Sequence, residues 1–562
     1  MTQFSHPAVS STHRRRSVRD AVQRALHNST ALTPAFAALL LPIAALAQEL
    51  PTGGTVVSGE VAFSQPDTSS LIINQTSGNA ITDWQSFSIG RGSSVAVVQP
   101  STSSAMLARV NGDTPSTISG SLTATGQLVL VNPNGIAISS SGTVAAGGGF
   151  VASTLDIEND DFLAGQLRFS GRAPASVSNA GTITVGRGGY AALLGGEVSN
   201  EGTIRVPMGR VGLGSGEVAA LDFSGDGFLQ VGVPSTDSGT GAHVSNSGTV
   251  VAGDVEMKAA TARNAARQAV NMSGVIVART VSGRNGKITL GGDGGKVAVS
   301  GRMKASAPGR KGGNITITGR DIDLTGAKLD ASGKAGGGDV RIGGDWKGAG
   351  TLPHAETVSV DHKTIINADA TGTGNGGSVV LWSDIHTAFE GKISARGGAG
   401  RGNGGDVEVS SKGLLGYGGF TDLSASKGAY GMLLLDPYNV TISTAPGTSG
   451  FTATTDDSVI NVDTLAAALA SANVTITTGS AGSQAGNITV AAPLAWAAPT
   501  TLELQAANNI AVNAPMSFGG AQGAGLALNA GNALDINARI TVNGQAPSIS
   551  EPARRRLEGR RS

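Results

Sequence analysis

The chain has 562 residues, with 40 Lys+Arg against 40 Asp+Glu, so it lacks the basic excess of a general nucleic-acid binder. It contains no Cys, which excludes a disulfide framework and leaves packing alone to stabilise it. Gly numbers 84 without a collagen-like triplet and aromatics make up only 4%, so the core must be thin and built from Val, Ile, Leu and Ala.

Residues 1–47 read as an extended signal peptide. A basic stretch (Arg14, Arg15, Arg16, Arg19, Arg24) precedes an apolar run from Phe36 to Leu46. Ala45-Leu46-Ala47 supplies a small-x-small cleavage site and places Gln48 at the start of the mature chain. About twelve apolar residues are too few to cross roughly 30 Å of hydrocarbon as a helix.

Internal repetition decides the fold class. Val177-Ser178-Asn179-Ala180-Gly181-Thr182-Ile183 returns as Val198-Ser199-Asn200-Glu201-Gly202-Thr203-Ile204, and again as Val244-Ser245-Asn246-Ser247-Gly248-Thr249-Val250. A weaker copy starts at Ile138. The first interval is 21 residues and reads as one coil; the second is 46 and reads as two. Asn-x-Gly predicts a tight turn at positive φ, and Thr-Ile-x-Val predicts a strand with alternate residues inward. Within 286–410, paired glycines precede short strands five times, as in Gly312-Gly313-Asn314-Ile315-Thr316-Ile317. Such units cannot bury an apolar face alone and must stack.

The expectation is an all-β chain folded as a right-handed parallel β-helix, with on the order of 23 coils and a rod of about 110 Å. A β-sandwich is the alternative, but it does not explain near-identical heptads at a fixed period. Asp463 or Thr464 is expected to cap a short helix through Leu469, with Asn473 opening a new strand. The Ala-rich stretch 256–270 suits helix or strand. The Arg-rich tail, 551–562, breaks the pattern and reads as disordered.

Residues 48–300 resemble the secretion domain of the filamentous haemagglutinin family. The match runs in order through Asn74-Gln75, then Asp83-Trp84-Gln85-Ser86-Phe87-Ser88-Ile89-Gly90, Gln99-Pro100 and Leu107-Ala108-Arg109-Val110-Asn111-Gly112. It continues through Ser116 to Gly120, Gly126 to Val131, and the motif Asn132-Pro133-Asn134-Gly135-Ile136, ending at Ala152 to Ile157 and Asp161-Phe162. Ala108 departs from the family's usual Asn. The resemblance implies a two-partner secretion system, in which an outer-membrane transporter's periplasmic domains and barrel recognise this region; Asn132 to Ile136 would be the recognition motif. A structural corner that only shapes the coil is the competing reading of that motif. Residues 301–430 read as Gly-rich β-helix repeats. Gly431 to Ile442 resembles a segment of large haemagglutinin-like proteins and opens a further solenoid region, 431–550.

A β-helix polysaccharide-active enzyme is the catalytic alternative. It needs acids on adjacent coils. Glu158, Asp160 and Asp161 read as a solvated turn. Asp321, Asp323, Asp330, Asp339 and Asp345 do not align into a site, and the histidines lack metal-ligand spacing. Gly291 to Gly295 is similar to a calcium-binding nonapeptide but reads as a glycine corner. With no catalytic site in view, the resemblance implies a non-enzymatic, cofactor-free, secreted or surface-exposed adhesin of a Gram-negative bacterium that binds a host or bacterial surface ligand. A haemolysin or haem-carrier-binding exoprotein is the nearest alternative. The abrupt tail suggests a truncated passenger.

Overall fold

Short runs with alternate aliphatic residues can bury only one face of a strand; in this chain the inward faces of each coil cover one another, and the next turn of the spiral pairs with the strand edges. A computed structural model describes residues 49–172, 175–224, 227–234, 241–262, 267–279, 285–446, 457–478, 485–519 and 523–543. Residues 1–48, where the sequence suggests a signal peptide and a cleavage site at Ala45, Ala47 and Gln48, and the 551–562 tail lie outside the described residues.

The fold is a right-handed parallel β-helix. Each coil has three faces, as in Ser176–Asn179, Thr182–Val185 and Tyr190–Gly195, followed one level on by Glu197–Asn200, Thr203–Arg205 and Arg210–Ser215. The N-terminal end of the helix is closed by antiparallel strands: Thr55–Ser58 pairs with Asn79–Trp84, and Val61–Asp67 with Ser70–Gln75. One hydrophobic core runs inside the coils from Leu50 to Ala530.

The second face shows the coil count. Its fourteen-stranded sheet holds the antiparallel cap strand Val61–Asp67 and thirteen parallel strands ending at Phe420–Asp422. Helix Val462–Leu469 packs between that last strand and Leu494–Trp496, taking the place of a strand. Three more strands follow, at Leu494–Trp496, Met516–Gly519 and Ile540–Asn543. Among the described residues, seventeen levels at ~4.8 Å give a rod of about 80 Å, shorter than the repeat length implied.

Part of the shortfall comes from long coils, since Arg302 pairs with Lys328 and Lys392 with Phe420, 26 and 28 residues on; part has a more specific cause. Val198 pairs directly with Val244, so the 46-residue interval is one coil, not two. The additional residues leave the coil as a hairpin, Val218–Leu221 and Leu229–Gly232. An earlier coil makes a similar excursion through a short helix, α1 (Asn159–Leu163), and strand Leu167–Ser170. The two excursions meet as a three-stranded antiparallel sheet, with Leu167 opposite Leu221. Beneath it lies a second apolar cluster, formed by outward-facing Ile81, Leu107, Val129, Val151 and Ala192 with Phe162, Phe169, Phe228 and Leu229. Residues 128–131 are therefore buried on both sides.

The repeated Gly also answers to a different requirement than expected. Gly181, Gly202 and Gly248 do not have positive φ. A Cβ on Gly181 would lie 2.3 Å from the Gly142 carbonyl oxygen, on Gly202 2.1 Å from that of Gly181, and on Gly248 2.2 Å from that of Gly202. Close approach of stacked backbones, not turn geometry, demands glycine here. The copy at Ile138 is offset: Gly142 and Thr143 align with Gly181 and Thr182, but Ile138 lies opposite Asn179, not Val177.

The second helix, α2 (Val462–Leu469), starts one residue ahead of the expected cap. Asn461 is the N-cap, its side-chain oxygen accepting from Asp463 N at 2.9 Å and Thr464 N at 3.3 Å. The early start buries Val462 along with Leu465 and Leu469. Asn473–Thr477 opens the next strand as expected. The described part of 256–270 is strand on either side of its middle, in Asp254–Ala259 and Gln268–Met272. Near Gly431 to Ile442, Asn439–Ser443 and Asp457–Asn461 are both parallel neighbours on the first face, which adds an additional rung there.

Candidate functional site: the corners of the first coils

The residues that carry the sequence resemblance converge on the three corners of the first coils. At the corner entering the first face, Asn132 is fully buried. Its Nδ2 donates to Thr114 O at 3.0 Å and Ser116 Oγ at 2.9 Å, tying it to the coil below. Its Oδ1 accepts from Asn134 N at 2.9 Å, closing a turn over Pro133. Gly135 N donates to Asn132 O at 3.1 Å, and Gly135 has φ +118°, which excludes most side chains. Asn134 Nδ2 donates to Gly112 O at 2.7 Å. Gly112 in turn sits so close to Gln85 that a Cβ would lie 2.0 Å from its carbonyl oxygen. Pro133 and Asn134 face solvent, while Gly135 and Ile136 are buried.

The corner between the second and third faces is built from amides. Gln99 is buried; its Nε2 donates to Gln75 Oε1 at 3.1 Å and its Oε1 accepts from Gly126 N at 2.8 Å. Gln75 Nε2 donates to Ser77 O at 2.8 Å. A Cβ on Gly126 would meet Ser104 O at 2.2 Å. Pro100 is exposed beside Gln99. At the remaining corner, Gly120 packs over Gly90, a Cβ lying 2.5 Å from its oxygen.

Trp84, Phe87 and Val110 are core residues. Trp84 makes edge contacts with Phe63 of the cap at 5.2 Å and with Phe87 at 5.3 Å, and its Nε1 donates to Thr82 Oγ1 at 3.0 Å. Arg109 holds the first excursion to the coil: its Nε donates to Asp156 Oδ1 at 2.9 Å and its Nη2 to Ile157 O at 2.7 Å. Glu158, Asp160 and Asp161, expected as a solvated turn, form the start of α1 with Phe162 turned inward.

Several buried polar groups escaped the sequence reading. Asn179 Nδ2 donates to Asn200 Oδ1 at 2.7 Å and Asn200 Nδ2 to Asn246 Oδ1 at 2.6 Å, an amide ladder inside the core that ends on Met272 Sδ at 3.4 Å. Glu256 is fully buried on the outer side of the third face. It accepts from Phe228 N and Leu229 N, both at 3.0 Å, and pairs with Lys258 Nζ at 2.7 Å. Burial pushes its carboxyl up, but Lys258 and the two amides outweigh this and hold it below the usual range. It thereby fastens the second excursion to the coils. The only sequence signal was a lone acid between Val255 and Met257; its partners lie 27 and 28 residues earlier.

The acids weighed for catalysis are dispersed. Asp321 accepts from Thr357 Oγ1 at 2.8 Å and pairs with Arg320, Asp323 pairs with Lys296, and Asp339 with Lys311 at 3.3 Å. Asp330 caps the turn at Ser332, and Asp345 pairs with Arg341 at 2.8 Å. Among the described residues no group of three or more His, Asp or Glu is placed to hold a metal ion. Asp293, at φ 45°, sits in the Gly291 to Gly295 corner.

These features define a β-helix capped at its first coil, with its matched residues concentrated at the corners. Residues 47–305 match the TPS secretion domain family. The chain is 30% identical to the HMW1 secretion domain of Haemophilus influenzae, whose crystal structure superposes with a TM-score of 0.60 over 68% of this chain and 100% of that one. It is also 29% identical over 344 residues to a heme/hemopexin-binding protein of Haemophilus influenzae strain Rd, covering 59% of this chain. The chain spans 37% of the length of that relative. The chain belongs to the filamentous haemagglutinin family of two-partner secretion exoproteins.

Proposed function

We propose that this chain is the exported partner of a two-partner secretion pair, recognised through its N-terminal coils by an outer-membrane transporter and delivered to the outside of a Gram-negative cell. The observation that carries this reading is the secretion-domain match over 47–305, joined to the placement of its motif residues at all three corners of the first coils. Asn132 to Ile136 would serve in recognition before the coil closes. An extended segment can add a strand to an exposed sheet edge of the transporter's periplasmic domains. Once folded, the same Asn132 is buried in its corner, so coil-on-coil folding outside removes the recognised form and favours outward movement. Co-expression with an outer-membrane transporter of the two-partner secretion type tests this. The chain should reach the medium only when the transporter is present, and Asn134→Ala should lower the secreted amount. Equal secretion without any transporter would overturn the reading.

For the passenger, the match to heme/hemopexin-binding proteins favours capture of haem or of a haem-carrying protein, because it runs over 344 residues and so exceeds the 47–305 secretion domain. Adhesion to a cell surface is the competing role. Purified chain should retain hemopexin or haemin on a resin; binding to cells with neither ligand retained would support adhesion instead.

A further inference from the structure

The two excursions do not close completely over the outside of the third face. Between α1 and the Phe223 loop they leave a cleft of about 870 Å³, within the range of small-molecule sites. Its deep wall is apolar, made by the buried side chains of Val129, Phe162 and Leu167. Tyr190 forms a second wall: its ring lies against Gly149, and its hydroxyl donates to Gln127 Oε1 at 2.8 Å. Phe223 overhangs the opening, in edge contact with Tyr190 at 4.9 Å yet 46% exposed. Glycines line the remaining side, where a Cβ at Gly147, Gly148 or Gly189 would strike the neighbouring coil.

Besides Gln127, which the Tyr190 hydroxyl engages, the polar side chains lining the cleft are exposed, Asn79 among them. Thr102, Ser103 and Arg187 are exposed at the mouth. Arg187 is the one charged residue lining the cleft, and among the described residues its side chain has no hydrogen bond or ion pair. An apolar depth under a mouth with one uncommitted cation complements an amphiphile. A sugar would leave its hydroxyls facing Val129, Phe162 and Leu167 unpaired.

We propose that the cleft binds a single alkyl chain ending in one negative charge, the chain lying against Val129, Phe162, Leu167 and Phe223 and the anion on Arg187. A free fatty acid and the phosphate head of a lipid share this chemistry.

Titration calorimetry of the purified chain with submicellar dodecanoate, dodecyl phosphate and dodecanol tests it. At least one of the two anions should bind once per chain, with dodecanol about tenfold weaker. Tighter dodecanoate would assign the fatty acid and tighter dodecyl phosphate the lipid head. Arg187→Gln should abolish the preference for the anion over the alcohol, and Phe223→Ser should weaken all ligands. Both residues are exposed, and unchanged circular dichroism would verify folding of the variants. Absence of binding by both anions, or equal binding by wild type and both variants, would overturn the proposal.

Discussion

Gly135 and Gly181 meet different demands, and substitution separates them. Gly135 has φ +118°, so Ala there is strained by the backbone itself, at a cost of about 1–3 kcal/mol. Gly181 has an ordinary φ, but a Cβ would press within 2.3 Å of Gly142 O. Gly181→Ala must force two coils apart, and we expect a loss on the order of 3 kcal/mol in denaturant unfolding. Asn200 is equally exacting. It accepts from Asn179 and donates to Asn246, so Asn200→Ala leaves two buried amides short of a partner. The expected cost is about 2–4 kcal/mol, read as a lower melting temperature. Gly and Asn were legible as corner residues because their types are local signals. Their actual duty, clearance and pairing between coils, was not, since it depends on a neighbour 21 or 46 residues away.

At the scale of elements, one insertion is expected to respond to pH. Residues 343–354 cross the outside of the third face as a strap, with Gly344 and Gly348 pressed on Trp382 and Lys347 held at φ 54°. Lys347 N donates to Glu408 Oε2 at 2.7 Å, and Glu408 is fully buried. Burial pushes the Glu408 carboxyl up to about 7 from 4.5, only partly offset by the Lys347 amide, and burial likewise raises neighbouring Asp436 to about 6. The folded state therefore favours protonated Glu408. Its stabilising effect is complete below pH 4.5 and is lost between there and about 7, on the order of 3 kcal/mol. Strap amides should exchange hydrogen faster at pH 8 than expected from chemistry alone, and Glu408→Gln should remove that excess. Equal excess in the variant would contradict the assignment. The excursions mark where sequence reading reached its limit. Val218–Leu221 and Leu229–Gly232 alternate much as coil strands do, so nothing local distinguishes a hairpin leaving the spiral from another turn of it. α1 was hidden for a related reason: five residues carry too little periodicity to announce a helix.

For the whole molecule, stability is a sum over nearest-neighbour coils, and a coil lost from the middle breaks the path of every inward ladder. The fold class was legible because repeated heptads admit few other arrangements; the number of coils was not, because excursions consume residues without adding height. The direct pairing of strands 46 residues apart is therefore the point on which the architecture turns. The absence of Cys allows a clean test by engineered cross-links. Ser199 and Ser245 are half-buried Cα partners on adjacent coils, so S199C with S245C should oxidise to an intramolecular disulfide, since strands ~4.8 Å apart match the bond's reach. Ser178 pairs with Ser199 and so lies two levels from Ser245, about 10 Å, and S178C with S245C should stay reduced. Cross-linking of the second pair without the first would contradict the stacking described.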